Sequence, residues 1–159
     1  MSENKDKTLA ESLSEVIEKY FGGTKKEAPP VERITKSVND EQRVALFVVL
    51  EPQDEDYTLD AHGDTYTAED IRKACMNFNQ NSMKANLFHQ VETEDAIIVE
   101  SYIAPVDFTL DAQVVKAGTW LQSFYFPETE VGEVLWQAVK SGEINGVSIQ
   151  CMCSTEEIE

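Results

Sequence analysis

A serine hydroxyl becomes a nucleophile when a base takes its proton, and an imidazole near its natural pKa is the usual base. The 159 residues include two histidines, His62 and His89. His89 closes the apolar run Ala85-Asn86-Leu87-Phe88, at the end of a predicted strand. By position alone it reads as a structural histidine, and a nucleophile must be paired with it before it reads as a base. Ser148 is the residue to pair. In Gly146-Val147-Ser148-Ile149-Gln150-Cys151-Met152-Cys153, strand alternation puts Val147, Ile149, Cys151 and Cys153 on one apolar face. Ser148, Gln150 and Met152 take the other. The hydroxyl therefore projects away from the packing face, just after Gly146, where the chain can bend closely. Ser148 and His89 stand 59 positions apart, so only the fold can join them.

The remaining candidates read as structural. His62 lies in Asp60-Ala61-His62-Gly63-Asp64, with carboxylates on either side, but the spacing matches no calcium loop and suits a solvated turn. Cys151 and Cys153 form a C-x-C pair with no second Cys or His cluster nearby. A closed zinc site takes about four such ligands, so the pair reads as apolar packing. No cofactor is expected. Three cysteines, an odd number, make no disulfide framework and suit a reducing compartment.

Several elements must position the serine and the histidine. Residues 8–21 read as a helix. Thr8-Leu9-Ala10-Glu11 has the form of a capping box, Leu9, Leu13, Val16, Ile17, Tyr20 and Phe21 share a stripe, and Gly22-Gly23 ends it. Thr24 to Asn39, with Pro29-Pro30, reads as a linker, so residues 1–39 form an appendage and 40–159 the main domain. The helix either needs a partner surface or packs on its own domain.

Val44 to Leu50 reads as a central strand, followed by an acidic loop from Glu51 to Asp64. A second helix starts at Thr67-Ala68-Glu69-Asp70. Strands are expected at Ala85–His89, Asp95–Ile103, Thr119–Phe126 and Gly146–Cys153, and a last helix from Glu130 to Lys140, ending near Gly142. Helices are too few to cover both faces of a parallel sheet. The expected class is α+β, around a mostly antiparallel sheet or small barrel.

Charge narrows the partners. The chain carries 13 basic and 30 acidic groups, a net charge of −17. Residues 1–41 hold 7 basic and 9 acidic groups, leaving 6 and 21 on residues 42–159, so the body carries the charge. Phosphate backbones are bound by Lys and Arg that displace counterions, which argues against direct nucleic-acid binding and against docking on an anionic membrane. With 42 % apolar residues the chain can bury a core. Its longest apolar run, Val44–Leu50, is too short to cross a bilayer, and the N-terminus has no apolar stretch for secretion. A soluble intracellular protein is expected.

From Val44 to about Gln150 the chain resembles the phage serine proteases of the capsid-maturation (prohead protease) group, the branch found in phage-like elements of Gram-positive bacteria. The resemblance is carried, in order, by Val49-Leu50-Glu51-Pro52 leading to Asp60-Ala61-His62-Gly63-Asp64, then Ala68 to Ala74 and Leu87-Phe88-His89. Its most specific stretch is Val99-Glu100-Ser101-Tyr102-Ile103-Ala104-Pro105-Val106-Asp107-Phe108. Lys116 to Trp120, Leu135 to Glu143 and Ile144-Asn145-Gly146-Val147-Ser148-Ile149 continue it.

The resemblance implies a fold shared with herpesvirus assemblin-type proteases, a small β-barrel or curved sheet flanked by helices. It also implies an endopeptidase that cuts scaffold and capsid-protein extensions inside the procapsid, in the host cytoplasm. Its partners would be the phage scaffold and major capsid proteins, with a homo-oligomer left open. Carried over by residue, Ser148 would be the nucleophile and His89 the general base. Glu100, on the strand after His89, or Glu156 could orient the imidazole, or the pair could act as a dyad. Glu156 lies eight residues past Ser148, about 26 Å along an extended strand, so it reaches the ring only if the chain turns back.

The chain departs from the group at Gln150-Cys151, where relatives carry glycines. Two other functions fit the same residues. One is a proteolytically inactive relative serving capsid assembly. The other is a small acidic protein that covers a basic partner's surface.

Overall fold

A computed structural model describes residues 11–15, 36–39, 42–53, 64–87, 91–110 and 113–147. Its main sheet has four antiparallel strands: β1 (Lys36–Asn39), β2 (Val44–Leu50), β5 (Ile97–Ile103) and β8 (Trp120–Tyr125), in the order β1-β2-β8-β5. Two small hairpins flank it, β3 (Ala85–Leu87) with β4 (Val91–Thr93), and β6 (Phe108–Leu110) with β7 (Gln113–Val115). Helices α1 (Ala68–Asn81) and α2 (Glu130–Ser141) complete the described elements, and residues 11–15 are helical. The class is α+β with antiparallel sheets, as expected. The described strands form an open sheet and do not close into a barrel. No described helix is long and apolar enough to cross a membrane.

β8 is central because its residues suit burial on both faces. Trp120, Leu121, Gln122, Ser123 and Phe124 are all buried. On one face, Trp120 and Phe124 meet the helices. Ala45, Phe47 and Phe124 join Leu135, Trp136 and Val139 of α2 in one cluster. Val49, Leu50 and Trp120 join Ile71 and Cys75 of α1 in a second. On the other face, Leu121 packs with Ala104 and Val115 beneath the β6–β7 hairpin.

Both helices begin on a threonine cap. Thr67 Oγ1 accepts from the Asp70 N–H at 3.1 Å, and Thr129 Oγ1 from the Gly132 N–H at 2.9 Å. Thr129 also donates to Asp95 at 2.5 Å, tying α2 to the approach to β5. Helix α2 ends at Gly142, whose φ of +85° is the left-handed conformation glycine adopts without strain. Gly132 has a different reason. A Cβ there would stand 2.1 Å from the Pro127 carbonyl oxygen, so only glycine lets the first turn of α2 sit against that segment.

Residues 36–39, expected at the end of a linker, form β1 instead. Lys36-Ser37-Val38-Asn39 has no apolar alternation, and its pairing with Val44–Phe47 is what makes it a strand. Of the first predicted helix, residues 11–15 are described and helical. Leu13 is buried in the α2 cluster, so this segment packs on the chain's own core.

Arg43 fixes the turn between β1 and β2. Its Nε donates to the Phe126 carbonyl at 2.8 Å, Nη1 to Glu133 at 2.7 Å and Nη2 to the Pro127 carbonyl at 3.3 Å, while the guanidinium lies over the Trp136 ring. A lysine keeps the charge but cannot make three bonds in fixed directions. Arg43→Lys is therefore expected to lower stability by about 1–3 kcal/mol, read from urea unfolding at pH 7.

Before β6, Asp107 accepts from the Ala117 N–H at 2.7 Å and pairs with Lys116 at 3.2 Å. These contacts, the Ala117 bond foremost, hold its carboxyl below the usual aspartate value. A carboxylate lowered on folding stabilises the protein above its unfolded value, about 3.9. That contribution is lost as pH falls through the folded value. Asp107→Asn should flatten this part of the acid limb in thermal melts taken from pH 6 down to 2.5, and an unchanged limb would refute the assignment.

Candidate active site

Two β-bulges decide which side chains face which way around β8. In the β2–β8 register, Val48 pairs with Leu121 and Leu50 with Trp120, leaving Val49 as the extra residue. In the β5–β8 register, Ile98 pairs with Phe124 and Glu100 with Ser123, leaving Val99 extra. An inserted residue reverses the facing of everything beyond it. Beyond Val99, Glu100 and Tyr102 therefore face the side of Ser123 and Leu121, while Ser101 and Ile103 face the helices.

The result is one polar group at the middle of each sheet face. On the helix face, Ser101 Oγ accepts from Trp120 Nε1 at 3.0 Å and from Gln122 Nε2 at 3.4 Å. The Ser101 carbonyl accepts from Asn79 Nδ2 of α1 at 2.9 Å. Burial pushes the Cys75 thiol up, opposed by its hydrogen bonds to Ser101 and Asn79, so Cys75 is held in its unreactive protonated form. On the opposite face, Ser123 Oγ donates to Glu100 Oε2 at 2.5 Å. Burial, and then the charge of Glu100, raise the Tyr102 phenol.

Of the residues expected to carry chemistry, the structure describes Glu100. Ser148, His89, His62, Glu156, Cys151 and Cys153 lie outside the described residues; of the strand expected at Gly146–Cys153, Gly146 and Val147 are described and lie in no strand, and the rest falls outside the described residues. What the structure does fix is how the chain approaches the serine and the histidine. Ala85, which opens β3 four residues before His89, is buried in the cluster under α2. Val147, next to Ser148, packs against that same cluster and also against the one under α1. The two approaches thus rest on one core. Glu100 sits on the sheet face opposite these clusters, with Ser123 as its partner.

Sequence reasoning missed Ser101, Gln122 and Ser123 as members of the polar centres. The available signal was Gln122-Ser123 inside the otherwise apolar run Trp120-Leu121…Phe124-Tyr125-Phe126, since polar side chains in a central strand need partners. Among the described residues, no group of three or more His, Cys, Asp or Glu is arranged to hold a metal ion. An open depression of about 540 Å³, lined by Ser14, Glu133, Gln137 and Glu143 among others, shares no residue with either polar centre.

A family model described as "Putative phage serine protease XkdF" matches residues 30–157. The chain belongs to this family. The match spans β1 through α2 and includes both His89 and Ser148. Two curated proteins of Bacillus subtilis (strain 168) are similar to it. The phage-like element PBSX protein XkdF is 34 % identical over 134 residues, covering 81 % of this chain and 46 % of that protein. The uncharacterized protein YqbD is 34 % identical over 125 residues, covering 79 % of this chain and 36 % of that protein. The chain thus spans less than half the length of either of these two relatives. No solved structure matches it at a significant level.

Proposed function

We propose that the chain is a serine endopeptidase that cleaves scaffold and capsid-protein extensions during phage procapsid maturation. The observation that carries this reading is the family match over residues 30–157, which takes in both the candidate nucleophile and its base. Ser148 attacks the peptide carbonyl while His89 takes the hydroxyl proton, and His89 then returns it to the leaving amine. Water hydrolyses the acyl-enzyme by the same relay. Backbone amides that hold the oxyanion contribute about 3 kcal/mol per donor. The common core beneath Ala85 and Val147 supports a meeting of the two segments. The same reading extends the open sheet toward the small barrel or curved sheet of assemblin-type proteases, with residues 148–153 as a further strand.

The placement of Glu100 bears on the third group. With Oε2 held by Ser123, on the face opposite the Val147 clusters, Glu100 suits support of the β5–β8 pairing, and the site then works as a Ser148–His89 dyad or with Glu156 as its third group. Glu100→Gln keeps an acceptor for Ser123. It should leave the rate of fluorophosphonate labelling within about threefold, whereas a loss of about a hundredfold or more would make Glu100 a true triad member.

Gln150-Cys151, standing where relatives have glycines, favours a second reading, an inactive relative that serves capsid assembly. Co-expression with the cognate scaffold and major capsid protein separates the two. Shortened products with the wild type but not with Ser148→Ala support the protease, and intact products with both support the assembly component.

A further inference from the structure

The sheet face turned away from the helices is covered only in part. There the β6–β7 hairpin packs on Leu46, Val48 and Leu121. Beyond that cover, Val44, Tyr125 and Ile97 line up across β2, β8 and β5, and the adjoining row ends in Ser123 and Glu100. Alternation along β8 turns Tyr125 to the same side as Ser123. None of Val44, Tyr125 and Ile97 belongs to a core cluster. Ile97 is 43 % exposed, and Tyr102, which flanks Glu100 from the other side, is 38 % exposed. With strands about 4.8 Å apart the row is roughly 10 Å wide, room for one extended segment or one helix.

Glu100 borders this apolar strip and is held in place. Ser123, 3 % exposed, donates to its Oε2, so the carboxylate is oriented before anything binds. Among the described residues no cation pairs with it. The six basic residues of 42–159 are all described and stand elsewhere. Arg43, Lys73, Lys84 and Lys116 pair with Glu133, Glu69, Glu92 and Asp107. Lys140 lies over Trp136 of α2 and Arg72 is on α1, both on the helix side of the sheet.

A fixed carboxylate bordered by exposed apolar and aromatic side chains fits a basic side chain carried among apolar neighbours. Arginine fits best, since a guanidinium forks onto a carboxylate and lays its plane on a ring such as that of Tyr102. A second copy of the chain fits poorly. Each copy carries a charge of −17, and a two-fold contact through this face would bring two Glu100 carboxylates together. We propose that the strip is a docking surface for a basic, apolar-flanked segment of a partner protein, with Glu100 as the anchor for an arginine. The surface lies on the sheet face opposite the clusters under Val147 and does not rest on the protease reading.

An NMR titration of the isotope-labelled intact chain tests this without needing activity. The probe is the peptide acetyl-Leu-Arg-Leu-Arg-Leu-amide, compared with the same peptide carrying citrulline, a neutral arginine of the same shape. Amide shifts should concentrate at Val44, Ile97–Tyr102 and Ser123–Tyr125 by about 1 mM peptide. The citrulline peptide should bind about fivefold more weakly. Glu100→Gln should impose the same loss on the arginine peptide and none on the citrulline peptide. Ile97→Ser should weaken both, and Glu69→Gln, an exposed acid on α1, should weaken neither. Shifts centred elsewhere, no binding by that concentration, or equal losses in Glu69→Gln and Glu100→Gln would overturn the proposal. Should Glu100→Gln fail to fold, the wild type decides, since equal affinity for the two peptides also overturns it. Sedimentation velocity covers the other occupant. A dimer that Ile97→Ser abolishes would assign the face to a second copy and overturn the proposal as well.

Discussion

Ser148→Ala is expected to abolish fluorophosphonate labelling and to reduce scaffold cleavage by at least about a thousandfold. No other residue in the proposed site can form the acyl-enzyme. His89→Ala should fall nearly as far, because without a base the hydroxyl keeps its proton at neutral pH. The two losses should not add. Nucleophile and base act as one unit, so the double variant should be no slower than the worse single variant. Additive losses would mean that His89 acts on something other than Ser148. Mapping the labelled peptide by mass spectrometry provides a further check. The adduct should sit in the tryptic fragment containing Ser148, and Ser101 and Ser123, both engaged in hydrogen bonds within the sheet, should remain unmodified.

Trp120→Ala is expected to produce the largest loss of stability among single changes in the sheet, about 3–5 kcal/mol. The indole is 1 % exposed, packs edge-on against Phe78 of α1 with ring centroids 5.5 Å apart, and donates its N–H to Ser101. Removing it opens a cavity at the junction of β8, β5 and α1 and removes a hydrogen bond to Ser101. The melting temperature should drop by about 10 °C. Trp120→Phe separates the contributions, since it keeps most of the apolar contact and removes only the donor, so about 1–2 kcal/mol should be lost. Equal losses in the two variants would show that the hydrogen bond, rather than the packing, dominates.

The sequence made some of these elements readable and concealed others, for physical reasons. Helix α1 announces itself through Thr67 and the stripe of Ile71, Cys75 and Phe78, and α2 through its approach to Gly142. Both are local signals. Strand β8 is readable from its aromatic content. Strand β1 is not, because Lys36-Ser37-Val38-Asn39 has little strand character until β2 pairs with it. The bulges at Val49 and Val99 are also hidden. Each depends on a register with β8, and strict alternation from Ile98 would have put Glu100 on the helix face. The strand carrying Glu100 could thus be read from the chain, but its side and its partner Ser123 could not. The chemistry of Ser148 and His89 was suggested by residue type and by resemblance, and the family match now covers both.

A crystal structure of the fluorophosphonate adduct is the most direct test of the central claim. The account predicts the phosphonyl group on Ser148 Oγ, with an imidazole nitrogen of His89 about 3 Å from that oxygen. An adduct on any other residue, or a ring held on the far side of the sheet from Ser148, would contradict it.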